Sequence, residues 1–291
     1  MDTKTLTLNG NPFFIRSWGD PDLPVLLMLH GFPEYGGAWG ELAPLLSDRY
    51  HCIAPDMRGY GQSWAPEGVE NYAVSELVGD MAALIGQLGR GPVTVLGHDW
   101  GAAVAYGLAM FCPDLVEKLI IMNGVHPVPF RREVSAGGAQ SQASAYMNML
   151  RADGAEDVLS ASGFSALFGF LNKTMDMNWL TPAKQAEYTA EWSRQGRFSA
   201  MLNWYRAAPF KVAETGVPVT DNPHYPPEKM QVRCPHLLIW GVDDTALLEV
   251  STEGLEEFAP DLTRVRITGA DHWLHHQKPA EVAAAILDWA A

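Results

Sequence analysis

Gly97-His98-Asp99-Trp100-Gly101 stands where a short buried strand, Val93–Leu96, runs directly into a helix, Ala102–Met110. No other stretch constrains the fold as tightly. A strand can pass into a helix over so few residues only if glycines flank the corner and let the two backbones approach. The middle residue then projects above the carboxyl edge of the sheet, and here it is an aspartate.

The neighbouring sequence supplies the sheet that such a corner needs. Thr5–Leu8 and Phe13–Trp18 read as a hairpin around Asn9-Gly10-Asn11. Val25–His30, His51–Ala54 and Lys118–Met122 are short, nearly continuous apolar runs, the pattern of strands buried on both faces. Helical spacing separates them at Trp39–Leu46 and at Tyr72–Leu88, the latter ended by Gly89. Strand–helix alternation of this kind implies an α/β fold, a mostly parallel sheet flanked by helices. Past Gly124 the pattern changes. From Pro127 to about Asn222 there is no buried strand, only Met, Ala, Phe and Trp at helical spacing, with a helix start at Thr181-Pro182. Alternation resumes with a strand at Pro235–Trp240, a helix at Val250–Phe258, a strand at Thr263–Ile267 and a helix at Pro279–Ala290. The expected organisation is an α/β core of residues 1–126 and 223–291, interrupted by a helical cap at 127–222. An insert placed there covers the carboxyl ends of the strands, where open α/β sheets hold their sites.

An aspartate on such a corner faces the amino end of the following helix, whose free amides and dipole favour an anion. Asp99 is therefore a candidate nucleophile, although a plain helix cap uses the same residue type. Partners lie at the ends of later strands. Asp244, preferred to the adjacent Asp243, follows Trp240 and can orient a histidine; His272 follows the last strand and is the candidate base. His275 and His276, further along that loop, are expected at its surface. The backbone amides of Phe32, in His30-Gly31-Phe32-Pro33-Glu34, and of Trp100 are candidates for an oxyanion hole.

Composition narrows the partners. The 291 residues carry a formal net charge of −14, which disfavours nucleic acid and anionic membrane surfaces. It also disfavours an anionic substrate unless local arginines override it. Cys52, Cys112 and Cys234 form no CxxC pair and sit in apolar stretches, as buried free thiols in a reducing cytoplasm would. No signal peptide or membrane span is legible, and cytoplasmic localisation is the expectation.

The motifs His30-Gly31-Phe32-Pro33-Glu34, Asp56-Met57-Arg58-Gly59-Tyr60-Gly61-Gln62-Ser63, Gly97-His98-Asp99-Trp100-Gly101 and Asn203-Trp204-Tyr205-Arg206 resemble those of the epoxide hydrolases of the α/β-hydrolase fold. The resemblance runs from His30 to Pro279. It implies conversion of a small apolar epoxide and water to a diol, through an ester on Asp99, without metal or cofactor. It implies that Tyr205, and Tyr146 in Ala145-Tyr146-Met147, point from the cap toward the nucleophile and stabilise the epoxide oxygen. His30, Glu34, Trp204 and Trp273 are expected around the substrate pocket. Two rival readings remain. A haloalkane dehalogenase shares the aspartate corner and Trp100, but usually has Asn where this chain has Phe32, and a fluoroacetate-type enzyme would carry arginine beside the nucleophile. A non-catalytic member of the fold that binds a small molecule is the other class.

Overall fold

Alternate residues of the central strands bury themselves in two different cores, one on each face of a single sheet. The computed structural model describes all 291 residues. Its strands are β1 (Asp2–Leu8), β2 (Asn11–Trp18), β3 (Val25–Leu29), β4 (His51–Pro55), β5 (Val93–His98), β6 (Val116–Met122), β7 (His236–Gly241) and β8 (Leu262–Ile267). They form one eight-stranded sheet in the order β1-β2-β4-β3-β5-β6-β7-β8. β1 and β2 are antiparallel, as are β2 and β4, and every other pair is parallel. In β3, Val25, Leu27 and Leu29 point into one core while Leu26 and Met28 point into the other. This is the packing that a doubly covered parallel sheet demands.

The helices of the first part are α1 (Ala43–Leu46), α2 (Val74–Leu88) and α3 (Trp100–Phe111). Between β6 and β7 the chain is helical: α4 (Pro127–Ser135), α5 (Ala139–Ala143), α6 (Tyr146–Arg151), α7 (Ala155–Leu171), α8 (Pro182–Trp192) and α9 (Arg197–Ala207). α10 (Leu274–Gln277) and α11 (Pro279–Ala290) close the chain. Two expected helices are shorter than their spacing suggested. Trp39–Leu46 divides into a 3-10 turn, Gly36–Gly40, and the single turn of α1, because Pro44 has no amide to donate back to Gly40. Val250–Phe258 divides into 3-10 turns at Glu249–Thr252 and Leu255–Glu257. Between them Gly254 takes a left-handed conformation that an α-helix does not accept.

The inserted helices rest on the loops that follow β3 and β4. Trp192 Nε1 donates to the carbonyl of Pro33 at 2.6 Å, Trp204 Nε1 to that of Arg58 at 3.0 Å, and Arg197 Nε to that of Gly61 at 2.7 Å. The second of those loops is itself held by Asp56, which accepts from the amides of Gly36 and Gln62, each at 2.9 Å, and pairs with Arg16. The Asp56–Ser63 motif thus serves as a rigid platform for the helices above it.

Candidate active site

β5 passes into α3 at Asp99, whose φ of 51° and ψ of −121° lie outside the regions that side chains favour. The corner is held by close approach. A methyl group on Gly101 would lie 2.1 Å from the carbonyl oxygen of Leu29, and one on Gly31 would lie 2.3 Å from Asp99 Cβ. Asp99 occupies the cap position of α3 but makes no side-chain capping bond to the helix. Its Oδ1 instead accepts the amide of Phe32 at 2.8 Å. The Trp100 amide is the first of α3.

His272 stands across from this carboxylate. Its Nε2 is 3.5 Å from Asp99 Oδ2, and its Nδ1 is 2.8 Å from Asp244 Oδ2. A carboxylate only accepts, so Nδ1 carries a proton and donates it. Asp244, rather than the exposed Asp243, meets the histidine. Its remaining capacity is filled: Oδ1 accepts from the amides of Ala246 at 2.8 Å and Leu247 at 3.0 Å, and Oδ2 also accepts from Asn123 Nδ2 at 2.7 Å. Asn123 in turn receives the Gly241 amide at 2.7 Å. It therefore ties the end of β6 to the end of β7 and braces Asp244. Its position at a strand's carboxyl end was visible in the sequence; its role as a brace was not.

The charges set the resting state of this group. Burial opposes a charge on His272, but Asp244 and Asp99 together hold its pKa well above the ordinary histidine value. Burial likewise opposes the charge on Asp244, and His272, Asn123 and the Leu247 amide outweigh it, leaving its pKa lowered. The two phenols are shifted the other way. Tyr146 is raised by burial and by the charge of Asp99; Tyr205 is raised by burial, by Tyr146 and by Asp99. Both therefore keep their protons at neutral pH. Tyr205, from α9, packs edge-on against Phe32 and Trp100, each ring pair having centroids 5.1 Å apart. Tyr146, from α6, lies with its ring centroid 6.4 Å from that of Tyr205.

Asp99, Trp100 and Tyr146 open onto a cavity of about 560 Å³. Its walls are mostly apolar and include Val78, Met110, Phe130, Met147 and Phe210, with Ser75, Arg131 and Tyr225 the other polar residues of the lining. The residues expected around the pocket lie elsewhere. His30 is buried and accepts the Met57 amide at 3.0 Å, Trp204 is taken up by its bond to Arg58, and Trp273 is buried beside His272. None of these lines the cavity, nor does Glu34.

His275 and His276 are corrected more sharply: they are buried, not at the surface. Glu34 draws them in. Its Oε1 accepts from His276 Nε2 at 2.7 Å and from Tyr188 of α8 at 2.9 Å, and its Oε2 from His275 Nε2 at 3.1 Å. The carboxylate of Glu34 is held well below its usual range because these histidines outweigh burial. Burial lowers His275 to about 3. Glu34, His98 and His275 bring three potential metal-ligating atoms within 4.8 Å of one another. His98 Nε2 also lies 2.8 Å from the carbonyl of His272 and fixes that loop from behind. Nothing in the spacing of Glu34 and these histidines announced the cluster; it forms because the loop after β8 folds back over the loop after β3.

Comparison with known proteins places this geometry among relatives. A family model described as alpha/beta hydrolase fold matches residues 24–279. The AB hydrolase superfamily protein YfhM of Bacillus subtilis (strain 168) is 32% identical over 286 residues, covering 97% of this chain and 95% of its own. A solved structure described as one of the novel epoxide hydrolases belonging to the alpha/beta hydrolases superfamily in metagenomes from hot environments superposes with a TM-score of 0.91 at 34% identity, over 100% of this chain and 99% of its own. The Bacillus megaterium epoxide hydrolase, solved in complex with an inhibitor, superposes with a TM-score of 0.85 at 29% identity, over 99% of each chain.

Proposed function

This chain belongs to the α/β-hydrolase fold family, and we propose that within it the chain is an epoxide hydrolase that forms an ester on Asp99. One observation carries the reading: the Asp99 carboxylate on the corner and the protonated phenol of Tyr146 face one cavity, with the His272 imidazole 3.5 Å from that carboxylate. The similarity to solved epoxide hydrolases supports it.

The chemistry follows from the geometry. The amide of Phe32 fixes the Asp99 carboxylate, which attacks one carbon of the epoxide. The carbon–oxygen bond of the ring breaks, and its electron pair goes to the epoxide oxygen. Tyr146 and Tyr205 donate to that oxygen and supply its proton. Asp99 is now an uncharged ester, so His272 has lost one of the two carboxylates that raised its pKa. The remaining partner, Asp244, keeps the ring oriented. The neutral imidazole takes a proton from water, and the hydroxide attacks Asp99 Cγ. The oxyanion formed there lies beside the amides of Phe32 and Trp100. Its collapse breaks the bond from Cγ to the substrate oxygen, which takes the proton held by His272. The acid proton left on Asp99 returns to the phenolate, so the diol departs and carboxylate, imidazole and phenol are restored.

The test removes the base. His272→Gln should form the ester and fail to hydrolyse it. Intact mass after mixing with styrene oxide should rise by the mass of the epoxide, and peptide mapping should place the adduct on Asp99. An unmodified protein, or an adduct elsewhere, would sink the mechanism. A matched bromoalkane given to the unsubstituted enzyme separates the rival reading, since faster halide release than diol formation would make it a dehalogenase.

A further inference from the structure

One cation lines the cavity that Asp99 opens onto. It is Arg131, from α4, and apart from Asp99 it is the one formally charged side chain of the lining. Its Nε is buried and has no hydrogen-bond partner, and no carboxylate lies within ion-pair distance of it. What sets it apart is that it stands inside the cavity of the candidate nucleophile with its Nε buried and unpartnered. Arg132 pairs with Glu133 and Arg206 with Glu156, and Arg151 donates through Nε to the carbonyl of Tyr205 while its own Nη2 is buried without a partner outside the cavity lining. Only the ring of Tyr225, itself a wall of the cavity, lies under the Arg131 guanidinium, 6.0 Å from its carbon to the ring centroid.

We propose that Arg131 selects epoxides bearing an anionic group on the arm remote from the ring, a carboxylate in the simplest case. The inference rests on the epoxide hydrolase reading and adds a substrate class to it. A guanidinium never loses its charge and presents donors in a planar fork that fits a carboxylate through two parallel bonds. Partly desolvated and unpaired, it is costly to the free enzyme, and an incoming anion relieves that cost. The two charges of the lining also set direction. Arg131 comes from the helix after β6 and Asp99 from the corner after β5. A carboxylate is attracted to the first and repelled by the second, so the anionic end binds at Arg131 and leaves the ring to the nucleophile. The apolar residues that share the lining, among them Val125 and Phe130 shortly before Arg131 in sequence and Val78 and Ala103 from α2 and α3, suit a hydrocarbon arm. The acidic surface counts against anionic substrates in general; a partly buried guanidinium inside the site reverses that preference locally.

The experiment compares terminal-epoxide carboxylic acids of graded chain length with their methyl esters, measuring kcat/KM for diol formation. The unsubstituted enzyme should prefer the acid by about tenfold or more, the size of a charge-assisted contact, with an optimum at one chain length. Arg131→Met should abolish the preference and leave turnover of the esters and of styrene oxide within about twofold. Decanoate, which has no ring to open, should inhibit the unsubstituted enzyme competitively and lose that effect in Arg131→Met. Equal kcat/KM for acid and ester in the unsubstituted enzyme overturns the inference without any variant having to fold. So does an acid preference that survives Arg131→Met. In both cases the epoxide reading stands, because diol is still formed; absence of diol from every substrate overturns both.

Discussion

Removing the two phenols tests the epoxide chemistry most directly. Tyr146→Phe and Tyr205→Phe each delete one hydroxyl and keep the ring. Tyr205 keeps its edge-on packing against Phe32 and Trp100, and Tyr146 its contact with Phe170 at 5.5 Å between centroids. The cost to stability should stay near ~1 kcal/mol for each lost hydroxyl. Ring centroids 6.4 Å apart allow both hydroxyls to reach one oxygen, since a phenol oxygen lies about 2.8 Å from its ring centre and bonds over about another 2.7 Å. Loss of one oxyanion donor typically costs about 2.7–4 kcal/mol, or roughly a hundred- to a thousandfold in rate. A second phenol on the same oxygen softens each single loss, so the singles should slow alkylation by roughly ten- to a hundredfold and the double variant by about ten-thousandfold or more. Residues acting on one charge are not additive, so the double variant has to be measured. Single-turnover kinetics read alkylation separately from hydrolysis. Hydrolysis of a preformed ester should change little, because it uses His272 and the backbone amides. A well-folded double variant that alkylates at near the original rate refutes the role of the phenols and removes the main support for an epoxide over a haloalkane.

Three further outcomes follow from the same geometry. Asn123→Ala leaves the buried Gly241 amide unpaired and takes one donor from Asp244; denaturant titration should show a loss of roughly 2–5 kcal/mol, and the surviving folded enzyme should hydrolyse its ester more slowly. Gly31→Ala puts a methyl group 2.3 Å from Asp99 Cβ and should cut alkylation by about a hundredfold or more, whereas Gly40→Ala, with nothing within 4 Å of the added methyl, should leave both rate and stability unchanged. The base form of His272 predominates above its pKa, and the ester lacks the Asp99 charge that helps raise that pKa. Ester hydrolysis should therefore rise with pH through a midpoint lower than the His272 midpoint found by NMR titration of the free enzyme; equal midpoints would show that Asp99 does not set the charge of the histidine.

The parts legible in the sequence are those written in local periodicity and in glycine spacing. Strands buried on both faces showed as continuous apolar runs, and the corner at Asp99 showed because Gly97 and Gly101 bracket it. Helix lengths near Pro44 and Gly254 were misjudged, since apolar spacing continues across a residue that the backbone cannot continue through. The acid, the base and the Phe32 amide were each placed at a strand's carboxyl end, and they meet because a parallel sheet gathers those ends along one edge. What stayed hidden depends on contacts between distant loops. His275 and His276 are polar residues in a loop, which read as surface until Glu34, 241 and 242 positions earlier, turns out to be their partner. The wall of the cavity was similarly hidden. Leu150, Phe164, Leu167 and Phe168, apolar and in the right helices, pack into the core of the insert, while Val78 and Met110 from the first half of the chain line the cavity.

Satisfaction of lone pairs separates Asp99, the carboxylate proposed to react, from the structural ones. Five buried carboxylates and the less buried Asp99 lie under or beside the inserted helices; Asp271, for one, accepts the amides of Asp176 at 2.7 Å and Trp273 at 2.9 Å. Asp56 is closed by two amides and Arg16, and Asp80 by the fork of Arg58 at 2.7 and 2.8 Å. Glu34 is shared among Tyr188, His275 and His276. Asp244 has two backbone amides on one oxygen and His272 with Asn123 on the other. Each of these carboxylates accepts between two and four hydrogen bonds spread over both oxygens, which lowers its nucleophilicity and fixes it in place. Asp99 is different. One amide holds its Oδ1, a single imidazole stands at 3.5 Å from its Oδ2, and the rest of the group faces the apolar cavity. It is oriented but under-bonded, in surroundings that do not solvate it well. Such a carboxylate is poised to form a bond to carbon, and the imidazole beside it is placed to undo that bond with water.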